Sequence, residues 1–307
     1  MAQEPGDGEG MAGVSRVDLP PRSGNVPPMR LLTAQARVAG IAGWPVRHSR
    51  SPRIHGHWLA RYGLDGAYIP LPIAPEAFVP AMRGLLAAGF AGANVTVPHK
   101  QAAFALADRL DHTARRAGAV NTLVFRHGHI EGSNTDVFGF LAGLADAGAD
   151  PAAGPALILG AGGAARAASV ALLDQGVPVT VTNRTEARAT ALAAELPGLR
   201  VLDWARRSEA LADTALLVNA TTLGMGGHGD PGLDFSRAAR DLAVADLVYV
   251  PLETTLLAAA RAHGLRCIDG LGMLLHQARP GFHAWFGVDP EVDAALRDLI
   301  LADLAGA

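Results

Sequence analysis

The stretch that most constrains this 307-residue chain is residues 157–165, Leu-Ile-Leu-Gly-Ala-Gly-Gly-Ala-Ala. Three apolar residues read as a buried strand, and the G-x-G-x-x-A that follows opens a helix. Gly160 suits the tight turn, Gly162 lets the backbone approach a pyrophosphate, and the small side chain of Ala165 lets the helix close onto its sheet. The N–H groups of the helix start then face the anion, with Ala161, Gly163 and Ala164 completing the turn. The chain holds 36 glycines, so glycine spacing alone would count for little. Its place between a clear strand and a clear helix makes it a nucleotide-binding βαβ unit.

The next strand, residues 177–182, ends at Asn183-Arg184-Thr185. A site for NAD would put Asp or Glu here, about 20 residues past the glycines, to hold the ribose 2′-hydroxyl. No carboxylate stands at this strand end. Arg184 does, and Arg188 follows one turn later. Two guanidinium forks suit a 2′-phosphate, so the cofactor reading is NADP. The competing reading makes both arginines the solvated start of a helix.

Strands and helices alternate from about residue 36 onward, the pattern of parallel βαβ units. In the first half, strands are expected at 38–43, 67–71 and 93–97. A helix is expected from Ser51 as N-cap, through Pro52, to about Tyr62, with others at 75–88 and 98–108. A hairpin turns at His127-Gly128 between 119–126 and 129–132, and a long amphipathic helix covers 135–148. After the Pro/Gly/Ala segment 149–155 the pattern restarts. Strands are expected at 156–160, 177–182, 215–219, 245–250 and 265–268, and helices at 163–175, 186–196 and 253–263. Two more helices, about 271–286 and 290–304, close the chain. The expected class is α/β, with two domains and a ligand cleft between them.

Half the residues are hydrophobic and 18% are charged, which is ample for a packed core and wrong for a disordered chain. A formal charge of -3 offers no general attraction for nucleic acid or an anionic membrane, and no apolar run approaches a membrane span. A single cysteine, Cys267, rules out an intramolecular disulfide and fits a reducing, cytoplasmic setting. In an apolar strand it reads as an inert thiol. Residues 1–30, rich in Gly, Pro and small polar residues, lack the apolar core of a secretory signal and read as a floppy tail.

The first half carries short polar clusters at its strand ends: His48-Ser49-Arg50-Ser51-Pro52, Asn94 through Lys100, Val120-Asn121-Thr122 and Asn134-Thr135-Asp136. Any one of them is commonly turn or cap chemistry. Together they offer hydroxyls, amides, one ammonium and one carboxylate, a set that suits a small polyhydroxylated acid. No His/Cys/Asp group has zinc-ligand spacing and no G-x-S-x-G elbow occurs, so no metal is expected. The 26 basic residues are 25 arginines and one lysine, Lys100. A chain that fills every other basic position with arginine and keeps lysine here points to a cation able to lose its proton, which a guanidinium cannot do.

These segments, together with Gly43-Trp44-Pro45-Val46, Asn219-Ala220-Thr221, Asp246 to Pro251 and Gly272 to Ala278, resemble the shikimate dehydrogenase family in order from about residue 38 to 290. The resemblance implies an NADP-dependent oxidoreductase acting on a secondary alcohol, in which shikimate and 3-dehydroshikimate interconvert during aromatic amino-acid (chorismate) biosynthesis. It implies that Ser49 and Ser51 bind the substrate carboxylate and that Thr96, Asn121 and Gln277 bind its hydroxyls. Lys100 and Asp136 would form the catalytic pair, Tyr249 would help close the site, and Gly272 would join the cofactor contacts. Asn94 would support the site, while His48 and His99 read as local hydrogen-bonding residues rather than bases. The implied layout is a tail over 1–33, a substrate domain over 34–135 and a Rossmann-like NADP domain over 136–270. Helices over 271–307 would return to the substrate domain. Partners would be small molecules, with a homodimer left open. The nearest alternatives are a relative acting on quinate or aminoshikimate and an NADP-binding protein that has lost catalysis.

Overall fold

The computed structural model describes residues 31–305, so the tail expected at 1–33 lies outside the described residues up to position 30. The first half runs β1 (Arg37–Gly43), α1 (Ser51–Arg61), β2 (Gly66–Pro72), α2 (Phe78–Ala87), β3 (Gly92–Val95), α3 (Lys100–Leu106), β4 (Arg109–Leu110) and α4 (His112–Ala117). It continues with the hairpin β5 (Thr122–Arg126) and β6 (His129–Ser133), then α5 (Thr135–Asp146). The second half runs β7 (Ala156–Leu159), α6 (Gly163–Asp174), β8 (Val179–Thr182), α7 (Glu186–Glu195), β9 (Arg200–Val201), β10 (Leu216–Asn219), β11 (Ala243–Asp246), α8 (Thr255–Ala262) and β12 (Arg266–Ile268). Three helices follow, α9 (Leu271–His276), α10 (Arg279–Phe286) and α11 (Ala294–Ala305).

The strands form two six-stranded sheets, ordered β2-β1-β3-β5-β6-β4 and β12-β11-β10-β7-β8-β9. The second is parallel throughout, as βαβ units require. Its strands are apolar on both faces because helices cover both: Ile158 packs into one layer with Val170 and Val181, while Leu157 and Leu159 pack into the other with Leu217 and Leu257. The first sheet is mixed, a departure from uniform βαβ pairing. The hairpin sets β5 antiparallel to both β3 and β6, and its two-residue turn has φ of 49° at His127 and 77° at Gly128, the twist such hairpins favour.

The last helices return to the first sheet. Phe282, Trp285, Leu296 and Ile300 pack with Ala39, Ile41 and Trp58, and Trp285 Nε1 donates to Leu123 O at 3.0 Å. Two helices carry the chain between the sheets, α5 outward and α9 back, and glycines bring them together. A Cβ at Gly139 would lie 2.5 Å from Gln277 Cβ, and one at Gly143 would lie 2.8 Å from Met273 N.

Several expected boundaries move. Ser51 is the first helical residue rather than the cap; Ser49 Oγ takes its N–H at 3.2 Å instead. The strand expected at 245–250 is Ala243–Asp246, because Asp246 Oδ1 accepts the N–H of Val248 at 3.0 Å and turns the chain out of the sheet. The helix expected at 271–286 breaks before α10, where Pro280 has no N–H to continue the ladder. The helix expected from Pro98 starts at Lys100, after a turn in which His99 N donates to Thr96 O at 2.9 Å. Helix α4 was not expected: its six residues are too few for periodicity, and its signals are the Asp111 cap on Ala114 N at 2.7 Å and Gly118 at φ 61°.

Candidate active site

One edge of the first sheet gathers the polar clusters. Because β5 runs antiparallel between β3 and β6, the ends of β3 and β6 and the start of β5 share that edge. The loop from β3 into α3 delivers Thr96 and Lys100, the residue before β5 is Asn121, and the first turn of α5 carries Asp136. The end of parallel β1 brings Ser49 and Ser51 to the same side. Asn134 caps α5, its Oδ1 accepting the N–H of Asp136 at 3.1 Å and its Nδ2 donating to Ala119 O at 3.1 Å. Lys100 Nζ donates to Asp136 Oδ2 at 2.6 Å, and Asn121 Nδ2 donates to Asp136 Oδ1 at 2.8 Å. Each carboxylate oxygen of Asp136 thus accepts one donor.

A cavity of about 350 Å³ opens beside the pair. Ser49, Ser51, Thr96, Lys100, Asn121 and Asp136 line it from the first half of the chain, and Tyr249 and Gln277 line it from the second. All eight residues assigned from sequence to catalysis and substrate binding therefore share one wall system. Arg50, Leu247 and Met273 also line it and were given no role from sequence. Arg50 stands between the two serines, and its guanidinium is held 2.9 Å from Asp303 on α11, a contact that nothing in local sequence signals. His48 lies at the exposed rim. His99 is buried, its Nε2 2.7 Å from Ile73 O and its ring stacked on Phe78, which leaves it a structural role.

Asp246 organises the wall that holds Tyr249. This carboxylate is fully buried and accepts from Asn219 Nδ2, Val248 N and Thr254 Oγ1 at 2.9, 3.0 and 2.7 Å. Burial pushes its pKa up, against the pull of those donors. Burial likewise raises the Tyr249 phenol, with the Arg50 charge opposing. The Cys267 thiol, also raised by burial, donates to Leu257 O at 3.4 Å.

The glycine turn lies at the carboxyl end of β7, beside β10, where the order of the second sheet reverses direction. Ligands of open α/β sheets bind at such switch points. Gly160 has φ 109°, and a Cβ there would press to 3.0 Å from Ala220 O. At Gly162 and Gly163 a Cβ would meet nothing within 4 Å, leaving open backbone at the start of α6. Ala164 reaches the cavity wall, so the turn and the pair address one space. Asn183 Nδ2 donates to Thr185 O at 2.8 Å and shapes the loop that presents Arg184. Arg184 and Arg188 are exposed, and neither has an ion pair among the described residues. Gly272 lies on α9 against Gly143. An open glycine cradle and two unpaired guanidiniums fit a 2′-phosphorylated dinucleotide.

Three family descriptions match the chain: the shikimate dehydrogenase substrate binding domain over residues 41–123, shikimate/quinate 5-dehydrogenase over 147–223, and the shikimate 5′-dehydrogenase C-terminal domain over 270–298. The chain belongs to the shikimate dehydrogenase family. Among its relatives, the shikimate dehydrogenase (NADP(+)) of Acidiphilium cryptum is 62% identical over 276 residues, 90% of this chain and all of the relative. The shikimate 5-dehydrogenase of Thermus thermophilus, solved in complex with NADP(H) and shikimate, is 38% identical with a TM-score of 0.79, covering 87% of this chain and 99% of that one. A quinate dehydrogenase of the same fold, from Corynebacterium glutamicum in complex with NAD, is 32% identical with a TM-score of 0.80 over 87% and 99%. No described helix is long and apolar enough to cross a membrane.

Proposed function

We propose that this chain is an NADP-dependent oxidoreductase that interconverts shikimate and 3-dehydroshikimate, with Lys100 and Asp136 handling the proton. The observation that carries the reading is the 2.6 Å contact of Lys100 Nζ with Asp136 Oδ2, on a cavity whose wall also includes Ala164 of the glycine turn. NADP, when bound, supplies the hydride chemistry. Gly160, Ala161, Gly162, Gly163 and Ala164 would hold its pyrophosphate. Asn183, Arg184, Thr185 and Arg188 would hold the phosphorylated ribose, and Gly272 would flank it from α9.

Ser49 and Ser51 donate to the substrate carboxylate at the start of α1. Thr96, Asn121 and Gln277 orient the ring by its hydroxyls, and Tyr249 closes over it. In oxidation, the Lys100–Asp136 pair takes up the proton of the reacting hydroxyl as the C–H electron pair leaves; in reduction it returns that proton to the new alkoxide. A positioned acid–base group of this kind is worth roughly 10²–10⁴-fold in rate. The packing of α10 and α11 on the first sheet supports a substrate domain of residues 34–135 completed by 271–307, around an NADP domain of 136–270. The single cysteine supports a cytoplasmic setting.

The test is NADP⁺ reduction by the purified protein with shikimate, quinate and a plain 2-hydroxy acid side by side. Turnover is expected with shikimate well above the other two. Equal rates with quinate, or none with shikimate, would overturn the assignment.

A further inference from the structure

We propose that Tyr68, on β2 behind the cavity, is a positioning residue for the Lys100–Asp136 pair, acting through Asn94, Thr122 and Asn121. The proposal rests on the proton-transfer reading of that pair.

Donor direction is forced at both amides, Asn121 and Asn94. Asn121 turns one end of its amide to the Thr135 N–H at 2.8 Å, which can only donate, so that end is the oxygen and Nδ2 faces Asp136. Asn94 turns one end of its amide to the Asn121 carbonyl at 3.2 Å, which can only accept, so that end is Nδ2. The same nitrogen reaches Thr122 Oγ1 at 3.0 Å, so the threonine proton goes on to Asn121 Oδ1 at 3.1 Å or to Thr135 Oγ1 at 3.2 Å. The remaining end of Asn94 is therefore Oδ1, and the Tyr68 hydroxyl, 2.6 Å away, must be its donor. Donation thus runs from the phenol through Asn94 onto the Asn121 carbonyl and the Thr122 hydroxyl, and from the Asn121 amide onto the carboxylate, with both amide orientations dictated by their neighbours.

Asn94 is buried yet borders the cavity. Tyr68 holds the carbonyl oxygen of this amide while Nδ2 donates to Asn121 O and Thr122 Oγ1; without the phenol the buried oxygen loses its 2.6 Å donor, and the hold of Nδ2 on Asn121 loosens. The phenol itself cannot wander. It is 8% exposed, stacks on His55 at 3.9 Å and lies 5.9 Å from the ring of Trp285. The Ser51 hydroxyl also faces it, opposing the burial that raises its pKa. Tyr68 thus stands between the serine assigned to the substrate carboxylate and the pair assigned to the proton.

Tyr68→Phe removes one oxygen and keeps the ring. Its kcat for shikimate oxidation is expected to fall roughly tenfold, the worth of one buried hydrogen bond, with KM for NADP⁺ unchanged. With Asn121 loosened, one of the two donors on Asp136 is weakened, so the pH profile of kcat is expected to differ from that of the unaltered enzyme. The other titratable groups on this cavity are His48, Arg50 and Tyr249; behind it stand His55 and His99, both buried. A Tyr68→Phe enzyme that is less stable but keeps kcat and the pH profile would reduce Tyr68 to packing and overturn the proposal. If it does not accumulate, Thr122→Val cuts the same chain nearer the pair and is judged by the same profile. Lys100→Arg, assayed in parallel, separates the two readings. An inactive Lys100→Arg beside an unchanged Tyr68→Phe removes only the role of Tyr68, whereas full activity in Lys100→Arg removes the pair and this proposal with it.

Discussion

Lys100 Nζ meets Asp136 Oδ2 at 2.6 Å across 36 residues of chain, because α3 and α5 both start from the same edge of one sheet. A lysine was kept at this point in a chain that otherwise uses arginine. Lys100→Arg preserves the charge and removes the titratable proton, so kcat is expected to fall roughly 10²–10⁴-fold with NADP binding unchanged. Asp136→Asn should lose a comparable factor, and the double variant much less than the product, because the two act as a unit. Steady-state kinetics decide it: more than half the kcat retained in Lys100→Arg would withdraw the proton-transfer role.

Arg184 and Arg188 are expected to set cofactor choice. With Arg184 on the loop after β8 and Arg188 in the first turn of α7, neither in an ion pair among the described residues, NADP should exceed NAD by on the order of 10²-fold in kcat/KM. Arg184→Ala should raise KM for NADP and leave the use of NAD nearly unchanged. Equal use of both cofactors by the unaltered enzyme would contradict this.

Ser49→Ala and Ser51→Ala each remove one of the hydroxyls proposed to donate to the substrate carboxylate, a contact worth about 1.5–3 kcal/mol. Affinity for shikimate should drop while cofactor affinity holds, which titration of each ligand measures. Unchanged KM and kcat in both variants would make this helix start a cap and nothing more.

Gly139→Ala tests the α5–α9 contact. Its Cβ would fall 2.5 Å from Gln277 Cβ and 2.8 Å from Gln277 Cα, neither of which can swing aside. The helices must separate, at about 1–3 kcal/mol of stability, and Gln277 leaves the cavity wall with them. Lower thermal stability together with a raised KM for shikimate is expected; an unchanged KM would detach Gln277 from substrate binding.

His55 makes stability fall in acid. It is fully buried, and burial, opposed only by the nearby Asn94 side chain, pushes its pKa down to about 3. The unfolded chain takes up a proton below the ordinary histidine value while the folded chain does not, so stability declines from there down to the folded pKa. That amounts to about 2 kcal/mol between pH 7 and pH 5 from His55 alone. His57 and His276, also lowered mainly by burial, add to the slope. Denaturant midpoints at the two pH values should show the loss, and His55→Phe should remove its share; a variant with the full acid loss would refute the assignment.

Much of this protein was legible along the chain because its signals are local. The strand at 157–159 and the G-x-G-x-x-A after it specify a turn whose backbone conformation, φ 109° at Gly160, follows from residues within a few positions. The lack of a carboxylate at the strand end before Arg184, the lone Lys100 and the polar clusters needed no folding to be seen. Tertiary structure decided what depends on strand order. The antiparallel placement of β5 between β3 and β6, which no periodicity encodes, brings Lys100, Asn121 and Asp136 to one edge. It also decided what depends on close approach between distant segments: Asp303 on Arg50, Gly139 against Gln277, and the Tyr68 hydroxyl on Asn94. A hydrogen bond is set by the relative position of two backbones to a few tenths of an ångström, and local sequence carries no information about a partner that arrives from another strand or helix.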